Sequence, residues 1–332
     1  MITESLAAWS RGAQAVALLS AANESGYLAY LATPRTLDEF AQFAGLPDGT
    51  AADLLAALAA HDVISSSDGQ FQLTEDTAAA FDGIRDIGAK IEEAALAVRR
   101  VAEVTRTGSA PLTDSDALLV AKASALRPSG SPASQAIITK VLDATPEIRD
   151  ILAAGGRLLD VGSGVSGFVV NALSLLPSMR ATTVELVGEV AAVPAAKAKE
   201  LGIDDRLDVR VMDARDFDEP AAYDAAFWAQ PFFSNSTRAA ALAMILRSLR
   251  PGGLLMVQQI AAEPAESAAH AEFLLRRLVA HAHDVPYARP IDSVAEEVSL
   301  AGFEIVRVTV TPFGPIALAR RPLPALQGSA TR

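Results

Sequence analysis

Apolar positions along the chain change period once, near residue 150. Before that point they recur at helical spacing. Gly12 to Ala22 is a nearly unbroken apolar run and predicts a helix. Thr36 caps a helix over Leu37–Phe43, and Glu39 stands where a capping box needs a carboxylate. Gly45 and Pro47 break the chain. Thr50 then caps a second helix over Ala51–Ala60, with Leu54, Leu55 and Leu58 on one face. Val63-Ile64 and Phe71-Gln-Leu73 flank Ser-Ser-Ser-Asp-Gly, the pattern of a small hairpin. Helix, turn, helix, hairpin is the order of a winged helix. Ile87 to Thr107 predicts one long amphipathic helix, ended by Gly108-Ser-Ala-Pro111. Arg127-Pro-Ser-Gly-Ser-Pro132 is a second break, and a helix around Ala136–Ala144 stops before Pro146.

From Arg157 onward, short apolar strands alternate with helices. The strands are Arg157–Val161, Ala181–Leu186, Leu207–Met212, Ala225–Trp228 and Leu254–Gln258. That alternation is the βαβ pattern of a parallel, doubly wound sheet. Phe303–Thr311 and Pro315–Arg320 have only Pro312-Phe-Gly314 between them, so they pair as an antiparallel hairpin. The fold class expected is α/β: a Rossmann-like doubly wound sheet closed by an antiparallel hairpin, plus a mostly helical N-terminal winged-helix-like domain. Its expected parts are a dimerisation domain over 1–110, a helical linker over 111–150, a ligand-binding domain over 151–322 and a disordered tail over 323–332.

Length suits two domains, since the chain has 332 residues. It has no cysteine, which excludes disulfides, thiolate metal sites and cysteine nucleophiles. No run is long and apolar enough to span a membrane, and the start lacks a signal-peptide pattern; a cytoplasmic protein is expected. The net charge is -12, and only Arg11 and Arg35 are basic in the first eighty residues. A DNA reader needs cations that position phosphates. The winged-helix order is therefore expected to serve a homodimer interface and a substrate lid, without nucleic-acid binding.

The chemistry concentrates in Leu158-Leu-Asp-Val-Gly-Ser-Gly-Val-Ser-Gly167. Two apolar residues and Asp160 finish a strand, and Gly162, Gly164 and Gly167 turn the chain into a helix. Glycine lets backbone approach a ligand closely. The spacing also matches the dinucleotide fingerprint. Asp160, however, stands where dinucleotide folds usually carry an apolar residue, and a carboxylate there repels a pyrophosphate. It suits a phosphate-free cofactor with a cationic amino-acid tail. Glu185 ends the next strand, placed to accept from both ribose hydroxyls. Asp213 ends the third, where a side chain can accept from the adenine amino group while the Ala214 amide meets a ring nitrogen.

These pieces, in order, are LLDVGSG, TTVEL, VRVMDARDF, YDAAFWAQPF and LRPGGLLMV. The segment from Leu158 to Val257 resembles class I S-adenosylmethionine-dependent methyltransferases. With its N-terminal part, the whole chain resembles the small-molecule methyltransferases of bacterial secondary metabolism, which share a dimeric architecture with plant-type O-methyltransferases. The resemblance implies S-adenosyl-L-methionine as cofactor. It implies that Asp160, Gly162 and Gly164 surround the methionine moiety, with Ser163 in the same turn. Glu185 takes the ribose, Asp213 and Ala214 the adenine; Leu186 and Trp228 complete the expected contacts. It also implies methyl transfer to oxygen or carbon of a small, natural-product acceptor.

The acceptor side departs from the family. Many plant-type O-methyltransferases carry a catalytic histidine after the fourth strand, where this chain reads Trp228-Ala-Gln-Pro-Phe-Phe233. Gln230 cannot act as a base, but it can orient an acceptor group. Four histidines exist: His61, His270, His281 and His283. His283, beside the break Asp284-Val-Pro286, is the expected base, with His281 second. On an ideal helix, residues two apart point about 200° apart. His281 and His283 therefore cannot share a metal unless the backbone unwinds, and none is expected. Three other classes stay open at this point: the same fold recruited to non-methyl chemistry, a nicotinamide oxidoreductase and a winged-helix regulator.

Overall fold

The computed structural model describes residues 2–259 and 261–324. The chain divides into two compact units, Met1–Ala102 with Lys122–Ser124, and Glu103–Ala121 with Ala125–Arg332.

The first unit carries α1 (Ile2–Glu24), α2 (Tyr27–Tyr30), β1 (Arg35–Thr36), α3 (Leu37–Ala44), α4 (Asp48–Ala60), β2 (Ile64–Ser67), β3 (Gln70–Leu73) and α5 (Glu75–Phe81), and begins α6 (Ile87–Thr107). The capping box at α3 is present: Thr36 accepts from the Glu39 amide, and Glu39 accepts from the Thr36 amide. α4 begins earlier than expected. Pro47 precedes its first residue, and Thr50 lies inside the first turn rather than capping it. Proline holds a φ suited to entering a helix, so no side-chain cap is required there. The hairpin β2–β3 gains β1 as a third antiparallel strand, in the order β1-β3-β2. A two-residue strand is too short for its periodicity to show. Leu28, Leu31, Phe40, Leu55 and Leu58 form the fully buried centre of this unit.

Next along the chain come α7 (Asp114–Ser124), α8 (Pro132–Ala144) and α9 (Pro146–Ala153). α8 starts at Pro132 rather than Ala136, because Ser131 caps it through the Ser134 amide and proline is well suited to the first helical position. Residues 111–150, expected as a linker, carry α8, which packs on the main sheet's domain within the second unit.

The sheet follows: β4 (Arg157–Val161), α10 (Gly167–Leu175), β5 (Arg180–Glu185), α11 (Gly188–Leu201), β6 (Leu207–Val211), β7 (Tyr223–Trp228), α12 (Asn235–Ser248), β8 (Leu249–Gln258), α13 (Ser267–His281), α14 (Ile291–Leu300), β9 (Glu304–Thr311) and β10 (Gly314–Arg320). Its order is β6-β5-β4-β7-β8-β10-β9. Neighbours from β6 to β8 are parallel, while β10 runs antiparallel to both β8 and β9. β8, expected over Leu254–Gln258, starts earlier, at Leu249; its pairing with β7 shifts register between Tyr223 and Ala225. Leu159, Val161, Tyr223, Trp228, Leu242, Ile245 and Leu255 sit in one buried cluster between the sheet, α12 and α14. β4 leads to β5 on one side and β7 lies on the other, so strand order reverses there, at the crevice where open α/β sheets bind ligands.

No helix of the described residues is long and apolar enough to cross a membrane. The tail expected to be disordered over 323–332 lies outside the described residues from 325 onward.

Candidate functional site

The expected cofactor-binding residues lie at the carboxyl ends of β4, β5, β6 and β7. β4 ends with Asp160 and Val161, which register with Phe227 and Trp228 of β7. The chain then turns through Gly162, whose φ is 68°, a backbone state that favours glycine. A Cβ there would meet the Phe233 ring at 2.6 Å, so the aromatic ring lies directly over the glycine. Gly167 has a different reason. A Cβ on it would stand 1.8 Å from the Leu126 carbonyl oxygen, so its absence lets α10 pack against that backbone. Two glycines of one motif thus answer two demands, close approach of the Phe233 ring and helix packing against the Leu126 backbone.

Asp160 is fully buried. Burial, reinforced by the charge of Glu185, pushes its carboxyl up to about 8. Its Oδ1 has no hydrogen-bond partner among the described residues. Ser163 Oγ, Trp228 Nε1 and Gln230 Oε1 are likewise buried and unpartnered. Buried polar groups are nearly always paired in folded proteins. Four such atoms around one end of β4 and β7 fit a polar ligand that supplies the missing partners.

Glu185 is held by backbone. Gly164 N–H donates to its Oε2 at 2.9 Å and Val187 N–H donates to its Oε1 at 3.1 Å. Each carboxylate oxygen keeps a second lone pair, enough for two hydroxyl donors. Leu186 follows it with 65% of its surface exposed, an apolar face open to a ligand ring. Asp213 sits after β6 and receives Arg215, with Nη2 donating to Oδ2 at 2.6 Å and Nε to Oδ1 at 3.0 Å. That hydrogen bonding from Arg215 holds the Asp213 carboxyl below its ordinary value. A ligand amine must therefore share Asp213 with Arg215. Ala214 beside it is buried.

On the other side, Gln230 is buried and donates from Nε2 to the Gln258 carbonyl at 3.3 Å, which leaves Oε1 as the free acceptor. α13 ends at His281, which is exposed, and the chain turns through 282–284 with Asp284 at φ 57°. The backbone thus leaves the helix between His281 and His283. Asp284 is tied to the start of α12: it accepts from Asn235 N–H at 2.8 Å on its carbonyl, from Asn235 Nδ2 at 2.9 Å and from Ser236 N–H at 3.2 Å on its carboxylate. This clamp brings the turn bearing His283 to the segment that follows Phe233. His283 Nε2 is shielded from solvent. His270 lies along α13, its ring stacked on Phe273 at 5.9 Å. Among the described residues no group of three or more His, Cys, Asp or Glu side chains has the placement of a metal site.

Sequence reasoning missed Phe233 over Gly162, the Asp284 clamp, and a buried arginine, Arg238, whose carboxylate partner is Glu297. Only Phe233 left a trace, as an aromatic pair after the fourth strand.

Residues 158–253 match the family described as a methyltransferase domain. No curated protein sequence matches the chain. Among solved structures, the chain is similar to the mitomycin 7-O-methyltransferase, at 19% identity and a TM-score of 0.72, over 96% of this chain and 97% of that one. It is similar to human N-acetylserotonin methyltransferase in complex with SAM, at 15% identity and a TM-score of 0.67, over 97% and 98% of the two chains. An O-methyltransferase from neocarzinostatin biosynthesis, in complex with S-adenosylmethionine and 2-hydroxy-5-methyl naphthoic acid, is similar at 19% identity and a TM-score of 0.62, over 93% and 95%.

Proposed function

We propose that this chain, a methyltransferase of class I architecture, moves the methyl group of S-adenosyl-L-methionine to an oxygen or carbon atom of a small molecule. The observation that carries the reading is the set of buried, unpartnered polar atoms at the ends of β4 and β7, with Asp160 at its centre. A neutral ligand gives a buried carboxyl no reason to ionise, whereas an ammonium does. The bound donor supplies a methyl group already activated on a sulfonium.

The chain's own residues then bind and align. Asp160 and the Gly162–Gly164 turn hold the amino-acid end, Glu185 the ribose, Asp213, Ala214 and Leu186 the base, and Trp228 closes the inner side. Alignment of two reactants supplies much of such a rate, about 7–11 kcal/mol in favourable cases. Gln230 Oε1 accepts a hydrogen bond from the acceptor molecule and orients it. His283 takes a proton where the acceptor atom must lose one, since a neutral imidazole nitrogen can accept it. His281, exposed at the end of α13, has the weaker claim to that role.

Small-molecule chemistry suits the net charge of -12 better than a nucleic acid does. The related neocarzinostatin enzyme holds a naphthoic acid. An aromatic natural-product intermediate is accordingly the first class to test. A homodimer through the N-terminal helices accounts for the apolar residues Ile2, Leu6 and Trp9, exposed at helical spacing along α1. Light scattering at micromolar concentration checks it, and a folded monomer would refute it.

The experiment for the activity is a screen of small aromatic hydroxy and keto acids with methyl-labelled S-adenosylmethionine. Label in an acceptor, with release of S-adenosylhomocysteine, is expected. Conversion of an acceptor in the presence of the cofactor without label transfer would instead indicate non-methyl chemistry on the same fold.

A further inference from the structure

We propose that Arg238 is a positioning residue for methyl transfer, setting the turn Trp228–Phe233 between the glycine loop and the acceptor. The proposal rests on the methyltransferase reading above.

Arg238 lies on α12 and is only 2% exposed. A buried arginine is uncommon, and its charge is tolerated only when paired and hydrogen-bonded. Here the whole fork is used. Nε and Nη2 donate to the two oxygens of Glu297, on α14, at 2.7 and 2.6 Å. Nη1 donates to the backbone carbonyl of Gln230 at 2.8 Å. The guanidinium plane also covers the Trp228 indole, its carbon 4.7 Å from the ring centroid. One side chain thereby joins the end of β7, the turn after it and α14.

Stability alone does not call for this arrangement. A well-packed apolar side chain usually serves a buried position as well as an ion pair does. What an apolar residue cannot do is hold the Gln230 carbonyl in place and press a cation onto Trp228 at once. Those two residues are the acceptor-side amide and the inner wall of the cofactor cradle. Trp228 packs edge-on against Phe233 at 5.7 Å, and Phe233 lies over Gly162. An unbroken line of contacts runs from Glu297 through Arg238, Trp228 and Phe233 to the glycine loop. Burial pushes the Glu297 carboxyl up, but hydrogen bonds and charge from Arg238 and Arg289 outweigh it and hold it below its ordinary value. The anchor therefore stays ionised through neutral pH. Removing Arg238 takes the charged donor from the Gln230 carbonyl, which keeps only the Phe233 N–H at 3.2 Å, and lets the turn shift against Gly162.

The test uses the full chain carrying Trp9→Phe, because Trp9 and Trp228 are the only tryptophans and Trp9 is exposed on α1. Trp228 is then the sole indole, and S-adenosylhomocysteine is the probe. The parent should bind it with a change in Trp228 emission. Arg238→Gln should weaken that binding by about tenfold and lose the emission change while remaining folded. Arg238→Lys, which keeps the cation and one donor, should recover most of both. Glu297→Gln should shift both in the same direction by less, and it carries the test if Arg238→Gln does not fold. Arg307→Gln breaks an ion pair to Glu147 between α9 and β9; it should lower the melting temperature without changing the Kd. A folded Arg238→Gln variant with the parent's Kd and emission response would overturn this proposal alone. A parent that does not bind S-adenosylhomocysteine would overturn the methyltransferase reading, and this proposal with it.

Discussion

Asp160, buried at the end of β4, feels the charge of Glu185, whose own carboxylate is fastened by the amides of Gly164 and Val187. Two acidic groups with different surroundings result. Glu185 has two N–H donors, while Asp160 has burial and a like charge, and its carboxyl is pushed up to about 8.

That difference makes cofactor binding pH-dependent. A carboxyl raised in the folded state contributes stability that is present below its unfolded value near 3.8 and lost as pH rises towards 8. The ligand-free protein should lose stability across that window. An ammonium placed beside Asp160 favours the ionised form, so binding expels a proton. S-adenosylhomocysteine affinity should rise by up to about tenfold per pH unit between pH 6 and 8, then level off. Calorimetry at pH 7 in buffers of different ionisation enthalpy should show one proton released, and Asp160→Asn should abolish the release. Affinity that stays flat from pH 6 to 8 would sink the assignment.

The two glycines make separable predictions. Gly167→Ala forces a Cβ to 1.8 Å from the Leu126 carbonyl, which is backbone and cannot step aside cheaply. It should destabilise the fold by roughly 1–3 kcal/mol or more, seen as a lower melting temperature. Gly162→Ala pushes on the Phe233 ring, which can move, at a positive φ. Its larger effect should be on S-adenosylhomocysteine binding. The reverse pattern would mean that the roles are exchanged.

On the acceptor side, His283→Ala should lower turnover on the identified acceptor by about two to four orders of magnitude, with S-adenosylhomocysteine affinity nearly unchanged. His61→Ala and His270→Ala should do neither. Asp284→Ala, which releases the turn from Asn235 and Ser236, should impair turnover in the same way. If Gln230→Ala costs more than His283→Ala, alignment by the amide governs the rate and no base acts from position 283.

Acid stability has a definite contributor far from the site. Arg307 Nη2 and Nε donate to the two oxygens of Glu147 at 2.8 and 3.0 Å, and this hydrogen bonding lowers the Glu147 carboxyl to about 2. A depressed carboxyl contributes stability above its unfolded value near 4.5, lost as pH falls towards 2. Both side chains are about one-third exposed, so solvent screening keeps the gain modest. Glu147→Gln should lower the melting temperature modestly on the neutral side and flatten the acid limb between pH 5 and 2, where the difference from the parent closes. An unaltered acid limb would show that the pair is unimportant.

Much of the second unit is legible in the sequence for a physical reason. Buried parallel strands are short apolar runs, and in β4 and β5 such a run carries an acidic residue at or beside its end, Asp160 and Glu185. The hairpin β9–β10 is legible because no helix fits between its runs. Helix starts were less so. Thr50 has the chemistry of a cap, yet Pro47 opens the helix before it. Arg238 was silent because its partner Glu297 lies 59 residues away, and no local pattern marks such a pair. The Asp284 clamp spans 49 residues and was hidden for the same reason.

The central claim is tested most directly by calorimetry of the purified chain with S-adenosylhomocysteine, S-adenosylmethionine and NADH. The account predicts binding of both adenosyl compounds, no binding of NADH, and a loss of roughly 1.5–3 kcal/mol for the adenosyl compounds in Glu185→Ala, the range for hydrogen bonds to a charged group. Binding of NADH with no binding of S-adenosylhomocysteine would contradict it.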